Sequence, residues 1–115
     1  ICEGQVQGGL AQGIGQAMHE HVVFDGASGQ LIAGSFLDYT MPRADDLPNF
    51  DLELAEVPST TNPLGIKGVG EAGAIGAPPT IINALLDALR PLGVQDFSMP
   101  ATPLRVWQAI QSART

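Results

Sequence analysis

One carboxylate, Glu71, stands in the glycine-rich run Gly68-Val69-Gly70-Glu71-Ala72-Gly73, with Ala74 and Ile75 following. Apolar, glycine-rich surroundings resist a charge and tend to raise the pKa of a carboxyl, which is the condition for a general base near neutral pH. Residue types alone leave a second reading open, a solvated loop glutamate without chemistry, because most glutamates are exposed. The same six residues match G-x-G-x-x-G, a pattern that can cradle a dinucleotide. Their context argues against that use. The preceding Thr60-Thr61-Asn62-Pro63-Leu64-Gly65 is turn-like rather than an apolar strand, and Asp87 falls on a helix rather than at a strand end.

Other groups carry weaker signals. Gln5 has an amide able to donate and accept in one contact, or else it is a polar residue bonding backbone amides at a helix start. Gly68 and Gly70 allow close backbone approach or serve turn geometry. Lys67 could attract an anion or only cover the loop. His19 and His21 have no partner at metal-ligand spacing, and neither stands in a nucleophile elbow such as G-x-S-x-G.

These residues need elements to position them. Val6, Leu10, Ile14, Ala17 and Met18 recur at helical spacing and predict a helix from Gly4 to about Glu20, within which Gly8, Gly9, Gly13 and Gly15 imply close approach of another backbone or a ligand. His21 to Phe24 and Gln30 to Tyr39 read as strands around the turn-rich Asp25-Gly26-Ala27-Ser28-Gly29, and Phe50 to Val57 as a third strand. Pro58 to Pro79 reads as a long structured loop. A helix opened by Pro78-Pro79 follows, with Ile81, Ile82, Leu85, Leu86 and Leu89 on one face and an end near Gly93. A last helix starts at Thr102-Pro103, with Val106, Trp107 and Ile110 toward the core. The expected fold class is α+β: a glycine-rich helix, about three antiparallel strands, a long catalytic loop and two C-terminal helices over the sheet.

Composition narrows the partners. Five Lys and Arg against twelve Asp and Glu give a net charge of −7, the wrong sign for nucleic acid or anionic lipid. The single Cys2 cannot form an internal disulfide, and no uninterrupted apolar run of spanning length is visible, so a cytoplasmic protein without a membrane span is expected.

The run Lys67-Gly68-Val69-Gly70-Glu71-Ala72-Gly73-Ala74-Ile75-Gly76-Ala77-Pro78-Pro79, continued by Ile82-Asn83-Ala84 and Asp87-Ala88-Leu89, resembles the active-site loop of the molybdenum hydroxylases, the family of xanthine dehydrogenase, aldehyde oxidoreductase and the large subunit of aerobic carbon monoxide dehydrogenase. The resemblance extends through Gly4-Gln5-Val6-Gln7-Gly8-Gly9 with Gln12-Gly13-Ile14-Gly15, Gly34-Ser35-Phe36-Leu37-Asp38-Tyr39 with Met41-Pro42-Arg43-Ala44, and Met99-Pro100-Ala101-Thr102-Pro103 with Val106-Trp107, so it covers nearly the whole chain in order.

The resemblance implies that Glu71 is the general base acting on a molybdenum hydroxide, with water as the oxygen source for hydroxylating an aldehyde, purine or N-heterocycle carbon. It implies that Gln5 approaches the pterin and the metal, that the backbone at Gly68 and Gly70 comes close to the cofactor, and that no residue of this chain ligates metal. It further implies a molybdenum–molybdopterin cofactor in the cytosine dinucleotide form, 2Fe-2S and FAD on partner domains or subunits, a dimeric assembly, and a small-molecule substrate. Residues 1–115 would then be one N-terminally truncated, C-terminal piece of the molybdopterin-binding subunit, inactive by itself. The carbon monoxide branch uses a copper-bearing cysteine on a distant segment, which Cys2 does not match. A non-catalytic cofactor-side scaffold and a carbon monoxide dehydrogenase-type fragment are the alternatives.

Overall fold

The computed structural model describes residues 1–114. Helix α1 spans Cys2–Ile14, continues as a π-helical turn over Gly15–His19 and ends at Glu20, whose extended backbone breaks the helix. Helix α2 spans Ala72–Leu89 and tightens into a 3-10 turn, Arg90–Leu92, capped by Gly93 in the left-handed conformation at φ 92°. Helix α3 spans Pro103–Ala113.

Two of the helix's glycines, Gly9 and Gly13, have their compensating reason in α2, whereas Gly8 has open space beside it and Gly15 faces Glu20 and Pro42. A Cβ on Gly73 would lie 2.6 Å from the Leu10 nitrogen and the Val6 oxygen, and one on Gly9 would lie 3.0 Å from the Ala74 nitrogen, so the two backbones touch where side chains would normally hold helices apart. Further along the seam, Ala77 and Pro78 fill the notch opposite Gly13.

Three expectations are corrected. The first is the fold class: among the described residues there are three α-helices and no β-strand, only an isolated antiparallel bridge between Phe24 and Leu31. The turn itself forms, with Asp25 N–H donating to the Gln30 oxygen at 2.8 Å, and the Ser28 hydroxyl and amide donating to the Asp25 carboxylate at 2.6 and 2.8 Å. Those two bonds, the hydroxyl first, hold the Asp25 carboxyl below its ordinary pKa. Pairing stops there, because after Ile32 the chain folds into local turns at Gly34 and at Ser35–Tyr39. The segment 50–57 meets no neighbouring strand among the described residues. A lone two-stranded hairpin is marginal without a third strand or a covering helix.

The second correction moves the start of α2 six residues earlier, from Pro78 to Ala72, so both prolines lie inside the helix. An interior proline costs roughly 3 kcal/mol through its missing N–H and its clash with the preceding turn. Here Pro78 is buried against Gly13, a tertiary contact that helix-start rules do not contain. The third correction concerns Trp107, which is 58% exposed rather than core-facing.

Alanine supplies three of the five buried hydrophobic residues, Ala17, Ala77 and Ala101, beside Leu89 and Val94. The radius of gyration is 17.9 Å, whereas a compact chain of this length would have about 13 Å. Phe36 and Leu37 are 76% and 90% exposed, and Ile75, Leu104 and Trp107 also face outward. Apolar surface on this scale marks faces that pack against other protein. By length and composition Ala72–Leu92 is apolar enough to cross a membrane, with a mean hydropathy of 1.2. Its close packing on α1 through Gly73 and Ala77 fits a protein-packed helix better.

The N-terminus of α3 follows the expected pattern. Thr102 is its N-cap, with Oγ1 accepting from the Arg105 amide at 3.4 Å, and Pro103 follows. Thr102→Ala is expected to lower stability by about 1 kcal/mol or less, read as a small fall in the thermal midpoint of the full-length protein.

Candidate active site

The earlier start of α2 changes the setting of Glu71. It is the N-cap residue of an 18-residue helix, at φ −104° and ψ −4°. Its backbone belongs to the cap, since the Glu71 oxygen accepts from the Ile75 amide at 3.0 Å and the Val69 oxygen accepts from the Ala72 amide at 3.2 Å. Its carboxylate makes no capping bond. Short side chains such as Asp or Ser at this position usually accept from first-turn amides; the longer Glu71 does not, and its carboxylate is left free and exposed. The enclosing apolar environment expected for it is not supplied by this chain.

Gln5 comes to the same place from 65 positions away in sequence. Its Nε2 donates to the Gly70 oxygen at 3.2 Å, which leaves Oε1 able to accept from another group. The contact follows from the α1–α2 seam, because the close approach at Gly9 and Gly73 puts the first turn of α1 beside the loop that enters α2. Gly68 and Gly70 are exposed, with nothing within 4 Å of where a Cβ would stand. Backbone is therefore presented openly on the outer side of this loop. Three of the four candidate residues, Gln5, Gly70 and Glu71, thus form one cluster, and Gly68 lies two residues before it.

A groove of about 490 Å³ runs from this cluster between α1 and α2, lined by Gln12, Gln16, Glu20, Gly70, Glu71, Ala74 and Ile75. Sequence reasoning assigned no role to Gln12, Gln16 or Glu20. Their spacing at i and i+4 puts Gln12 and Gln16 on one helix face, while Glu20 joins them only through the π turn, which the sequence did not signal.

The remaining candidates lie elsewhere. Lys67 and Cys2 are exposed and line a different groove, with Leu54, Val57 and Leu64. Among the described residues no three of His, Cys, Asp and Glu are grouped to hold a metal ion. Such a cluster of amides, open backbone and one free carboxylate suits an organic ligand rich in donors and acceptors, with a proton acceptor beside it.

Comparison with known proteins agrees with this chemistry. Residues 1–48 match the family described as molybdopterin cofactor-binding domain. The chain is 45% identical over 109 residues to the nicotine 6-hydroxylase large subunit of Paenarthrobacter nicotinovorans, covering 95% of this chain and 13% of the relative. It is 38% identical over 111 residues to the carbon monoxide dehydrogenase large chain of Hydrogenophaga pseudoflava, covering 96% and 14%. The structure of quinoline 2-oxidoreductase from Pseudomonas putida 86 superposes with a TM-score of 0.88 at 42% identity, covering 95% of this chain and 14% of that one. The chain thus spans about one seventh of the length of these relatives.

Proposed function

Since this chain belongs to the molybdenum hydroxylase family, we propose that it supplies the general base and part of the cofactor wall of a molybdenum-dependent oxidoreductase that hydroxylates an N-heteroaromatic carbon with oxygen from water. The observation that carries this reading is the free Glu71 carboxylate, bonded to nothing in its own helix and set beside Gln5 and the open backbone of Gly70. Among the relatives compared above, the higher identities belong to two whose names specify an N-heteroaromatic, nicotine and quinoline, which supports that substrate class over carbon monoxide.

The residues fit the cofactor. Gln5 Oε1 and the backbone at Gly68 and Gly70 would hold the pterin edge, where side chains at the two glycines would fill the approach. The molybdenum cofactor, when bound, supplies a centre that accepts two electrons from the substrate carbon. Glu71 Oε takes the proton from the water-derived nucleophile as it attacks, and Gln5, tied to the Gly70 oxygen, holds the loop so that this carboxylate faces the substrate. Exclusion of bulk water from the substrate side of Glu71 falls to the rest of the molybdopterin-binding subunit, which covers the apolar faces left open by α2 and the segment 31–41. A cytosine dinucleotide form of the cofactor, and 2Fe-2S and FAD carriers on partner subunits that remove the electrons, complete the proposal.

The test is a substrate panel of N-heteroaromatics, aldehydes, purines and carbon monoxide on the full-length complex in ¹⁸O-water. Heteroaromatic product carrying ¹⁸O is the expected result, and turnover of carbon monoxide alone would overturn the substrate class. Gln5→Leu is expected to lower cofactor occupancy, measured as molybdenum and pterin per protein, by about tenfold, equivalent to roughly 1.4 kcal/mol. Unchanged occupancy would remove Gln5 from the cofactor wall.

A further inference from the structure

The groove beside Glu71 is lined by a second carboxylate. Glu20 lies at the end of the π-helical turn, where its Oε2 accepts from the Tyr39 hydroxyl at 2.5 Å. Gly15 makes room for this pair: a side chain there would collide with Glu20 Oε1 and with the Pro42 ring, so its absence lets the carboxylate and the Tyr39–Pro42 segment close on the helix. Tyr39 is held as a donor, since its bond to Glu20 raises its pKa.

The π turn has a geometric consequence. Residues four apart in an α-helix drift about 40° around the axis, which over two steps would carry Glu20 away from the line of Gln12 and Gln16. A wider i→i+5 turn takes back part of that drift. The three polar side chains consequently line the same groove as Glu71.

We propose that this groove is the proton exit of the site, with Glu20, clamped by Tyr39, as the carboxylate that receives the proton collected by Glu71. The inference rests on Glu71 being the base. Hydroxylation of a C–H by water yields C–OH, two electrons that pass to the molybdenum cofactor, and two protons that must leave. With the cofactor against Gln5 and the outer backbone of Gly70 and a substrate before the carboxylate, the way left from Glu71 is the part of the groove walled by Gln12, Gln16 and Glu20. The groove wall from Gln12 to Glu20 rises roughly 12 Å along the helix, a length for a relay through waters. About three or four waters at ordinary hydrogen-bond spacing span it. The volume of about 490 Å³ holds them readily at roughly 30 Å³ each, and the Gln12 and Gln16 amides can both donate to and accept from such waters. The Glu71 carboxyl gives its proton to the first water, the last water protonates the Glu20 carboxylate, and Glu20 then releases the proton to solvent.

The experiment uses the full-length, cofactor-loaded enzyme with Glu20→Gln and, as a second variant, Gln16→Leu, which interrupts the water line at an exposed position without removing a carboxylate. In Glu20→Gln the first reduction by substrate in stopped flow proceeds, because Glu71 can take one proton, while steady-state turnover falls about tenfold or more and is restored by added imidazole or acetate buffer. Substrate-reduced minus oxidised infrared spectra of the wild type show a new protonated-carboxyl band, and in Glu20→Gln, where the proton stays on Glu71, that band moves to a different frequency. Gln16→Leu slows turnover in the same buffer-dependent way. Wild-type turnover in both variants, loss of turnover that buffer does not restore, or a carboxyl band unchanged from the wild type in Glu20→Gln would each overturn the proposal. The base assignment is read separately, from the first reduction in Glu71→Gln.

Discussion

Glu71→Gln in the full-length enzyme is expected to keep its molybdenum and its thermal midpoint while the rate of cofactor reduction by an N-heteroaromatic falls by about 10²–10⁴-fold, the usual contribution of a positioned general base. The structure separates this variant from an unfolded one. Glu71 caps α2 through its backbone, and its side chain makes no capping bond, so the isosteric amide removes a proton acceptor and no structural contact. Stability is accordingly expected to change by no more than about 0.5 kcal/mol, as for surface positions away from packing or caps. Metal analysis, thermal unfolding and single-turnover absorbance check the three parts. Full metal with an unchanged reduction rate would leave this chain as a cofactor-side scaffold.

Gly73→Ala is expected to produce the largest loss of stability. In an open helix the substitution would stabilise by roughly 1 kcal/mol. At Gly73 the added Cβ meets the Leu10 nitrogen, the Val6 oxygen and the Gly9 carbonyl carbon at 2.6 to 2.8 Å, all of them backbone atoms with no rotamer to give. Helix α1 must move away, and overpacking of this kind costs typically 1–3 kcal/mol or more. The same movement draws Gln5 from Gly70, so cofactor occupancy should fall together with the thermal midpoint. Gly76→Ala, three residues along the same helix, meets nothing within 4 Å and should be neutral or stabilising by up to about 1 kcal/mol. Equal behaviour of the two variants would refute the close α1–α2 seam as the reason for these glycines.

Much of the site was legible in the chain because its signals are local. Glu71 alone among glycines, the polar Gln5 at a helix start, the helical spacing from Val6 to Met18 and the Thr102-Pro103 cap each depend on a few consecutive residues, and α1 and α3 formed near their expected places. The strands failed for the converse reason. Alternation at 50–57 describes a segment able to pair, and among the described residues no partner lies alongside it.

The sequence by itself determined the chemical inventory: one carboxylate in a glycine frame, a nearby amide, and helices able to carry them. Tertiary structure alone decided that α2 begins at Ala72 and makes Glu71 its cap, because burial of Pro78 against Gly13 offsets what an interior proline costs. It also decided that Gln5 meets Gly70 across 65 residues, and that Gln12, Gln16 and Glu20 share a groove with Glu71. Contacts of this range depend on two backbones approaching closely enough to exclude side chains, which glycine content permits and only the packed helices specify.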